Sequence, residues 1–350
     1  MKYKSFCDLN KDIKKWLLTL PKVDLVVGIP RSGLIPATLI SLYRNIPLTD
    51  VEGLIEKRLF STGKRYTGKE IEWNSDKTRV LIIDDSVWSG RQINIIKKKI
   101  KDLNIKYNIK YAAVYVAPTA TRIVDFYYEI LNPPRVFEWN IMHHGILENS
   151  CVDIDGVLCR DPLEEENDDG ERYKQFIQNA DEYMIPTKKI GWLVTSRLEK
   201  YRSLTEEWLK KHNVKYNHLI MMPFDSKEER IRAGNYADFK TKIYKNTNAE
   251  LFIESSFKQA VEIANKSGKS VFCVETNEMI QPGSLIKNKI ENTKSLLSKG
   301  MREFKKHPIK TLPKITGYIF NRFFLTPIYI IGDKMKKKRK SSDNNAEAGI

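Results

Sequence analysis

The most constraining stretch of the chain is residues 80–92, Val-Leu-Ile-Ile-Asp-Asp-Ser-Val-Trp-Ser-Gly-Arg-Gln. Four consecutive apolar residues, Val80 to Ile83, fit a parallel strand buried on both faces. Two carboxylates, Asp84 and Asp85, stand at its carboxyl end, and a turn of small residues then opens a helix over residues 92–103. In open α/β sheets ligands sit outside the carboxyl ends of strands. A run of backbone N–H groups entering a helix N-terminus is an anion site. Adjacent carboxylates beside that anion suit hydroxyls, or a metal held through water. Vicinal hydroxyls next to a phosphate describe a ribose 5-phosphate.

A second segment of the same kind lies upstream. Residues 23–27 read as a strand, and Gly28, Ile29, Pro30, Arg31, Ser32 and Gly33 as a tight turn before a helix over 34–43. Strand, glycine turn and helix make a phosphate-binding geometry, common in α/β proteins and weak on its own. Before it, residues 13–20 read as the end of an amphipathic helix stopped by Pro21. After it, residues 53–74 are polar and glycine-containing, with Lys57, Arg58, Lys64, Arg65 and Lys69. A long irregular segment of this type suits a lid. Further strands are expected at 109–117 and 135–139, the last leading to His143 and His144 in a connecting segment.

Past residue 150 the strand-then-turn pattern restarts. Asp153 and Asp155, in Asp-Ile-Asp-Gly, are two apart at a strand end and point to one face. There one carboxylate can attack a phosphoryl group while the other moves a proton. A strand over 193–197 ends in the hydroxyls of Thr195 and Ser196. Another, from 251, ends in Glu254, with Lys240 and Lys242 before it. Helices are expected over 203–212 and 257–265, the second stopped by Gly268. The spacer 160–195 is too short for a folded cap domain; its acidic run, Glu164 to Glu166 with Asp168 and Asp169, reads as a solvated loop.

Charge sorts the remainder. The net charge is +16, but residues 301–340 hold 12 basic and two acidic side chains, so much of the excess belongs to the tail. Tyr318, Phe320, Phe323, Phe324 and Tyr329 lie in a stretch broken by Gly317, Arg322 and Pro327. It is too short to span a bilayer and reads as interfacial. Six basic residues over 334–340 suit an anionic membrane surface. Nucleic acid is not an expected partner, because no recognition fold accompanies the charge. Four cysteines without metal-ligand or disulfide spacing suggest a reducing cytosol. Residues 1–16 are too charged for a secretion signal.

Residues 80–90 resemble the phosphoribosyl-diphosphate (PRPP) loop of type I phosphoribosyltransferases, in which four apolar and two acidic residues precede a short run ending in Thr/Ser-Gly. The resemblance implies that Asp84 and Asp85 hold the ribose hydroxyls. Ser86, Val87, Trp88, Ser89 and Gly90 would wrap the 5-phosphate; Trp88 departs from the small or polar residues commoner there. Pro30, Arg31, Ser32 and Gly33 would hold the diphosphate through backbone amides and the Arg31 side chain. The later segment resembles the haloacid dehalogenase (HAD) phosphatases. That implies Asp153 as nucleophile and Asp155 as general acid/base. Thr195, with Ser196 second, would bind phosphoryl oxygens, Lys240, with Lys242 as alternative, would neutralise charge, and Asp153, Asp155 and Glu254 would hold Mg²⁺. The last motif usually carries two acidic residues, whereas here it is Glu254-Ser255.

These resemblances imply an α/β chain with two Rossmann-like domains and largely parallel sheets. The first, over 1–147, would be of type I phosphoribosyltransferase fold, and the second, over 148–285, a capless HAD fold. A basic amphipathic helical tail would follow over 286–350, its last ~15 residues disordered. The order resembles the bifunctional ribofuranosyltransferases of bacterial polysaccharide assembly. Such an enzyme transfers 5-phosphoribose from PRPP to a glycan acceptor, lipid-linked by expectation, and then strips the 5-phosphate, with Mg²⁺ in both domains. It would sit in the cytoplasm, peripheral on the inner face of the cell membrane, and a homo-oligomer is compatible. The alternative is a nucleobase phosphoribosyltransferase with a nucleotidase or regulatory second domain. A PRPP-sensing regulator is a third reading, against which the phosphate-site residues in both halves argue.

Overall fold

A computed structural model describes residues 1–283, save 62, 64, 65, 67–69 and 233–235. The chain divides into Met1–Pro282 and Gly283–Ile350, and the expected tail over 286–350 lies outside the described residues. Among the described residues no helix is long and apolar enough to cross a membrane.

Strand β1 (Lys2–Lys4) enters helix α1 (Phe6–Trp16) through a capping box, in which Ser5 accepts from the Asp8 N–H and Asp8 answers the Ser5 N–H. Leu9, Ile13 and Trp16 form its buried stripe. The expected helix over 13–20 is therefore shifted. α1 stops at Trp16, and Leu18, off the stripe, is 88% exposed in the turn that follows.

Next come β2 (Leu25–Gly28), α2 (Leu34–Arg44), β3 (Leu48–Asp50), α3 (Val51–Glu56), β4 (Arg79–Val87), α4 (Arg91–Asp102), β5 (Asn108–Val116) and β6 (Phe126–Ile130). They form an all-parallel sheet in the order β3-β2-β4-β5-β6. Val80 and Ile82 face one core with Leu25 and Val27, whereas Leu81 and Ile83 face the other with Leu9 and Ile13. That two-sided burial is why the strand reads as an unbroken apolar run.

Three expectations change here. β4 continues through the acidic pair to Val87, because Asp84, Ser86 and Val87 keep register with Ala113, Tyr115 and Val116 of β5. Residues 53–74 begin inside α3, whose N-cap Asp50 accepts from Gly53 N at 2.6 Å; Lys64, Arg65 and Lys69 lie outside the described residues. The strand expected at 135–139 is β7 (Arg135–Phe137), which pairs with β1 in a separate two-stranded ribbon, leaving the sheet's edge to β6.

The second sheet is built from β8 (Ser150–Val152), α5 (Glu171–Asn179), β9 (Ile190–Leu198), α6 (Arg202–Lys211), β10 (Tyr216–Met222), α7 (Lys227–Arg232), α8 (Tyr236–Asn246), β11 (Leu251–Glu254), α9 (Phe257–Ser267), β12 (Val271–Cys273) and β13 (Glu278–Ile280). Its order is β10-β9-β8-β11-β12-β13, parallel except for β13. Gly268 ends α9 in the left-handed region at φ 74°, the stop its position announces. The acidic run is a short turn with Glu164, Glu165 and Asp168 exposed, as expected, but the rest of the spacer is more than loop. Both Nη atoms of Arg160 reach the Glu166 carboxylate at 2.6 Å, Asp169 meets Lys200 and the Tyr201 hydroxyl, and α5 buries Tyr173, Phe176 and Ile177.

Both sheets reverse direction once. From β2 the chain runs outward to β3, and from neighbouring β4 it runs the other way to β5. In the second sheet β8 leads toward β9 and β10, and β11 toward β12. Crevices open where connections part, outside the carboxyl ends of β2/β4 and of β8/β11. Between the sheets, Tyr3 of β1 packs on Phe272 of β12 with centroids 5.8 Å apart, and its hydroxyl donates to Asn277 O at 2.8 Å.

Candidate active sites

The first crevice brings the two predicted loops into contact. Ser32 Oγ donates to Asp85 Oδ1 at 2.7 Å across the β2–β4 junction. Gly33 lies so close to β4 that a Cβ there would stand 2.5 Å from Ile29 O, 2.8 Å from Ile83 O and 3.0 Å from Asp84 Oδ1. Its φ is −64°, so close approach, not backbone freedom, demands glycine. Pro30 and Arg31 are exposed at the rim, joined by a cis peptide. Across the crevice Asp84 and residues Ser86, Val87, Trp88, Ser89, Gly90, Arg91, Gln92 and Ile93 line a cavity of about 250 Å³. Gly90 caps α4 at φ 73°, and a Cβ there would lie 2.5 Å from Ile123 Cδ1.

The two carboxylates, both expected at the ribose, have different surroundings. Asp85 is 3% exposed and accepts from Ser32 Oγ on one oxygen and from Trp139 Nε1, at 2.7 Å, on the other. It locks the two loops together from beneath. Asp84 lines the cavity. Burial first, and then the charge of Asp85, push its carboxyl up to about 8. Such a carboxylate, facing open space, fits hydroxyl donors or a cation carried by a diphosphate.

In the second crevice Lys240 Nζ, on α8, lies 2.5 Å from Asp153 Oδ2 and 2.7 Å from Glu254 Oε2, with all three residues at most 4% exposed. Lys240, not Lys242, therefore fills the expected place. Burial pushes Asp153 up to about 7 against the pull of Lys240, and the two facing carboxylates hold the ammonium charged. Asp155 is gripped by Arg197, whose Nη2 and Nε reach Oδ1 at 2.6 and 3.1 Å. Thr195 is fully buried, and its hydroxyl accepts from Arg197 N at 3.2 Å. Ser196 is half-buried as a residue, but its Oγ is enclosed as well.

The expected Mg²⁺ ligands do not assemble. Asp153 Oδ1 accepts from Ile154 N, and Glu254 Oε1 from Ser256 N and the Ser255 hydroxyl. Their other oxygens face Lys240, and Asp155 faces Arg197. Among the described residues no group of three His, Cys, Asp or Glu is placed to hold a metal ion. The buried lysine occupies the position between the carboxylates, and the residues as arranged fit an ammonium, not Mg²⁺.

Four residues escaped the sequence reading: Arg135, Trp139, Asp161 and Arg197. Arg197 directly follows the Thr195-Ser196 pair, so adjacency was its one available clue. Asp161 was unmarked; its carboxyl is raised by burial and then by Asp155 and Glu254. A Cβ on Gly156, at φ 71°, would lie 2.6 Å from Asp161 Oδ2 and 2.5 Å from Ser255 Cβ, so Asp161 and Ser255 flank the same glycine.

No protein-family model matches the chain, and no curated protein matches it. Solved structures do. A purine phosphoribosyltransferase from Pyrococcus horikoshii Ot3 is 27% identical over 39% of this chain and 92% of its own, with a TM-score of 0.29. The Helicobacter pylori xanthine-guanine-hypoxanthine phosphoribosyltransferase is 16% identical over 40% and 93%, with a TM-score of 0.30. An orotate phosphoribosyltransferase of Mycobacterium tuberculosis H37Rv in complex with PRPP is 16% identical over 33% and 62%, with a TM-score of 0.23. Scores of this size add no weight for function, and the chemistry has to come from the residues themselves.

Proposed function

We propose that the chain is a PRPP-dependent phosphoribosyltransferase acting on a glycan acceptor, with its second crevice removing the 5-phosphate afterwards. The observation that carries the transfer is the contact of two phosphate-type loops at one switch point, Ser32 on Asp85 and Gly33 on Asp84. In this reading the N–H groups of residues 86–91 and the start of α4 take the 5-phosphate, and Asp84 accepts from the ribose hydroxyls. Arg31 and the Gly28–Gly33 turn take the diphosphate. Departure of the diphosphate from C1 develops positive charge on the sugar and negative charge on the leaving group, so positioning and charge neutralisation supply most of the rate. Mg²⁺ bound to the diphosphate would share that neutralisation.

The phosphatase step rests on Asp153, Asp155 and Lys240. Asp153 attacks phosphorus and displaces the sugar oxygen, which leaves with the proton of Asp155, while Lys240 balances charge; water then passes a proton to Asp155 as it attacks the aspartyl-phosphate, freeing phosphate and Asp153. Arg197 fixes the position of the Asp155 carboxylate through its Nη2 and Nε hydrogen bonds. Stripping the phosphate pulls a reversible transfer forward. A nucleotide-forming enzyme would gain nothing by destroying its product, which is why the nucleobase reading ranks second.

Full-length protein given ¹⁴C-PRPP, Mg²⁺ and either nucleobases or a glycolipid extract tests the reading. Diphosphate release should depend on the glycolipid, and Asp84→Asn should lower it by at least 100-fold. Asp153→Asn should leave a product that keeps one phosphate by mass spectrometry. Release that depends on nucleobases alone would move the assignment to the runner-up; an unphosphorylated pentose from Asp153→Asn would remove Asp153 as nucleophile.

A further inference from the structure

The candidate donor loop carries a side chain that its phosphate contacts do not require. Trp88 is 55% exposed. Single exposed aromatics are ordinary on protein surfaces, but this indole is held from behind. The Arg135 guanidinium lies 5.2 Å from its ring centroid and 5.6 Å from that of Phe137. Phe137 stacks on Trp139 at 5.0 Å and 21°, and Trp139 Nε1 donates to Asp85. Trp88, Arg135, Phe137, Trp139 and Asp85 thus form one continuous support that ends on the residue joining the two loops.

Arg135 shows what that support costs. It is 5% exposed, its Nη2 donates to Val87 O at 3.1 Å, and its Nη1 is buried without a hydrogen bond. No carboxylate forms an ion pair with it among the described residues. A buried cation with an unmet donor is expensive, and here it fixes the orientation of one ring. A pre-oriented aromatic face loses little entropy on binding.

Resting on the transfer reading above, we propose that Trp88 is the acceptor platform, its free face stacking on a pyranose ring of the glycan. The surroundings of the exposed indole favour a sugar. Trp88 is the sole aromatic among the cavity's lining residues, so no second ring completes the sandwich that a flat nucleobase would use. Around it stand the exposed side chains of Ser89, Arg91 and Gln92, which are hydrogen-bond partners for ring hydroxyls.

The test is saturation-transfer difference NMR on the full-length protein with saturating PRPP and Mg²⁺. The probes are methyl glucopyranosides, galactopyranosides and N-acetylglucosaminides of both anomers, with adenine and uracil as comparison. At least one pyranoside should show enhancement on the C–H groups of one ring face. Trp88→Ala should weaken that ligand at least tenfold more than it weakens PRPP in a parallel calorimetric titration, and Trp88→Phe should recover most of the loss. The proposal is overturned by absence of any pyranoside signal, by a signal from the bases in place of the sugars, or by equal losses for PRPP and sugar. If wild-type protein fails to bind PRPP, the donor reading falls, while a Trp88-dependent pyranoside signal, with the sugars tested alone, still supports the platform.

Discussion

Asp84 is the carboxyl that the first crevice leaves without a cation partner among the described residues, and it sits at about 8. In the unfolded chain it would titrate near ~3.9. Between about 4 and about 8 the folded state therefore keeps a proton that the unfolded state has released, and stability falls as pH rises through that window. Asp84→Asn removes the penalty. The variant should melt a few degrees above wild type at pH 8, as ~1–2 kcal/mol yields in a chain of this size after discounting for the open crevice. At pH 4 the two should melt together. A constant offset at both pH values in thermal scans would show that burial and Asp85 do not raise this group. PRPP should show the converse, binding more tightly as Asp84 ionises towards pH 8.

At this scale the sequence disclosed the residues whose type the chemistry dictates. Asp84, Asp153 and Lys240 stand in the crevices where their motifs place them. It hid the residues that act by contact at long range. Ser32 and Asp85 are 53 positions apart, Trp139 and Asp85 54, and Arg197 and Asp155 42, and no local spacing encodes those partnerships. Asp85 looks equivalent to Asp84 in the sequence because alternation within a strand shows that neighbours face opposite ways, not which face meets Trp139.

Strands with two buried faces were readable from their apolar runs, and helices with a stop or cap from the capping residue, as Gly268 shows for α9. The errors occurred where polar residues belong to an element for reasons outside it. The apolar run of β4 ends at Ile83, yet the strand goes on because β5 holds Asp84, Ser86 and Val87 in register. β6 has no clean alternation, and α5 was hidden in an acidic spacer. The β2–α2 turn offers a direct test at this scale. Ala is comfortable at the φ of Gly33, so Gly33→Ala isolates the contact with backbone oxygens of the turn and of β4. Since neither carbonyl is a flexible side-chain end, the turn must move. We expect a loss of ~1–3 kcal/mol in urea unfolding, in the range of overpacked sites, together with at least tenfold weaker PRPP binding. An unchanged PRPP affinity would separate the turn from the donor site.

On the scale of the whole molecule, β1 and Tyr3 fasten the second sheet to the first through a few residues at the very start of the chain. In the reading proposed here, a transferred phosphoribosyl group must travel from one crevice to the other while attached to its acceptor. Release and recapture of a lipid-linked acceptor would be faster if the enzyme stayed at the membrane. The sequence past residue 286 supplies a means, with 12 basic and two acidic side chains over 301–340 around Phe320, Phe323 and Phe324. Attraction to an anionic surface is on the order of 1 kcal/mol per basic residue before screening and entropy losses, so a fraction of twelve contacts exceeds what any one rim contact elsewhere supplies. Truncation after Ile286 should abolish sedimentation with phosphatidylserine-containing vesicles, and raising salt from 0.1 to 0.5 M should weaken that of the full chain. The truncated protein should transfer slowly to a lipid-linked acceptor but keep its rate on a soluble fragment of the same glycan. Equal sedimentation of the two proteins would assign the basic tail to some task other than membrane attachment, and equal loss on both acceptors would tie it to the fold of the enzyme itself.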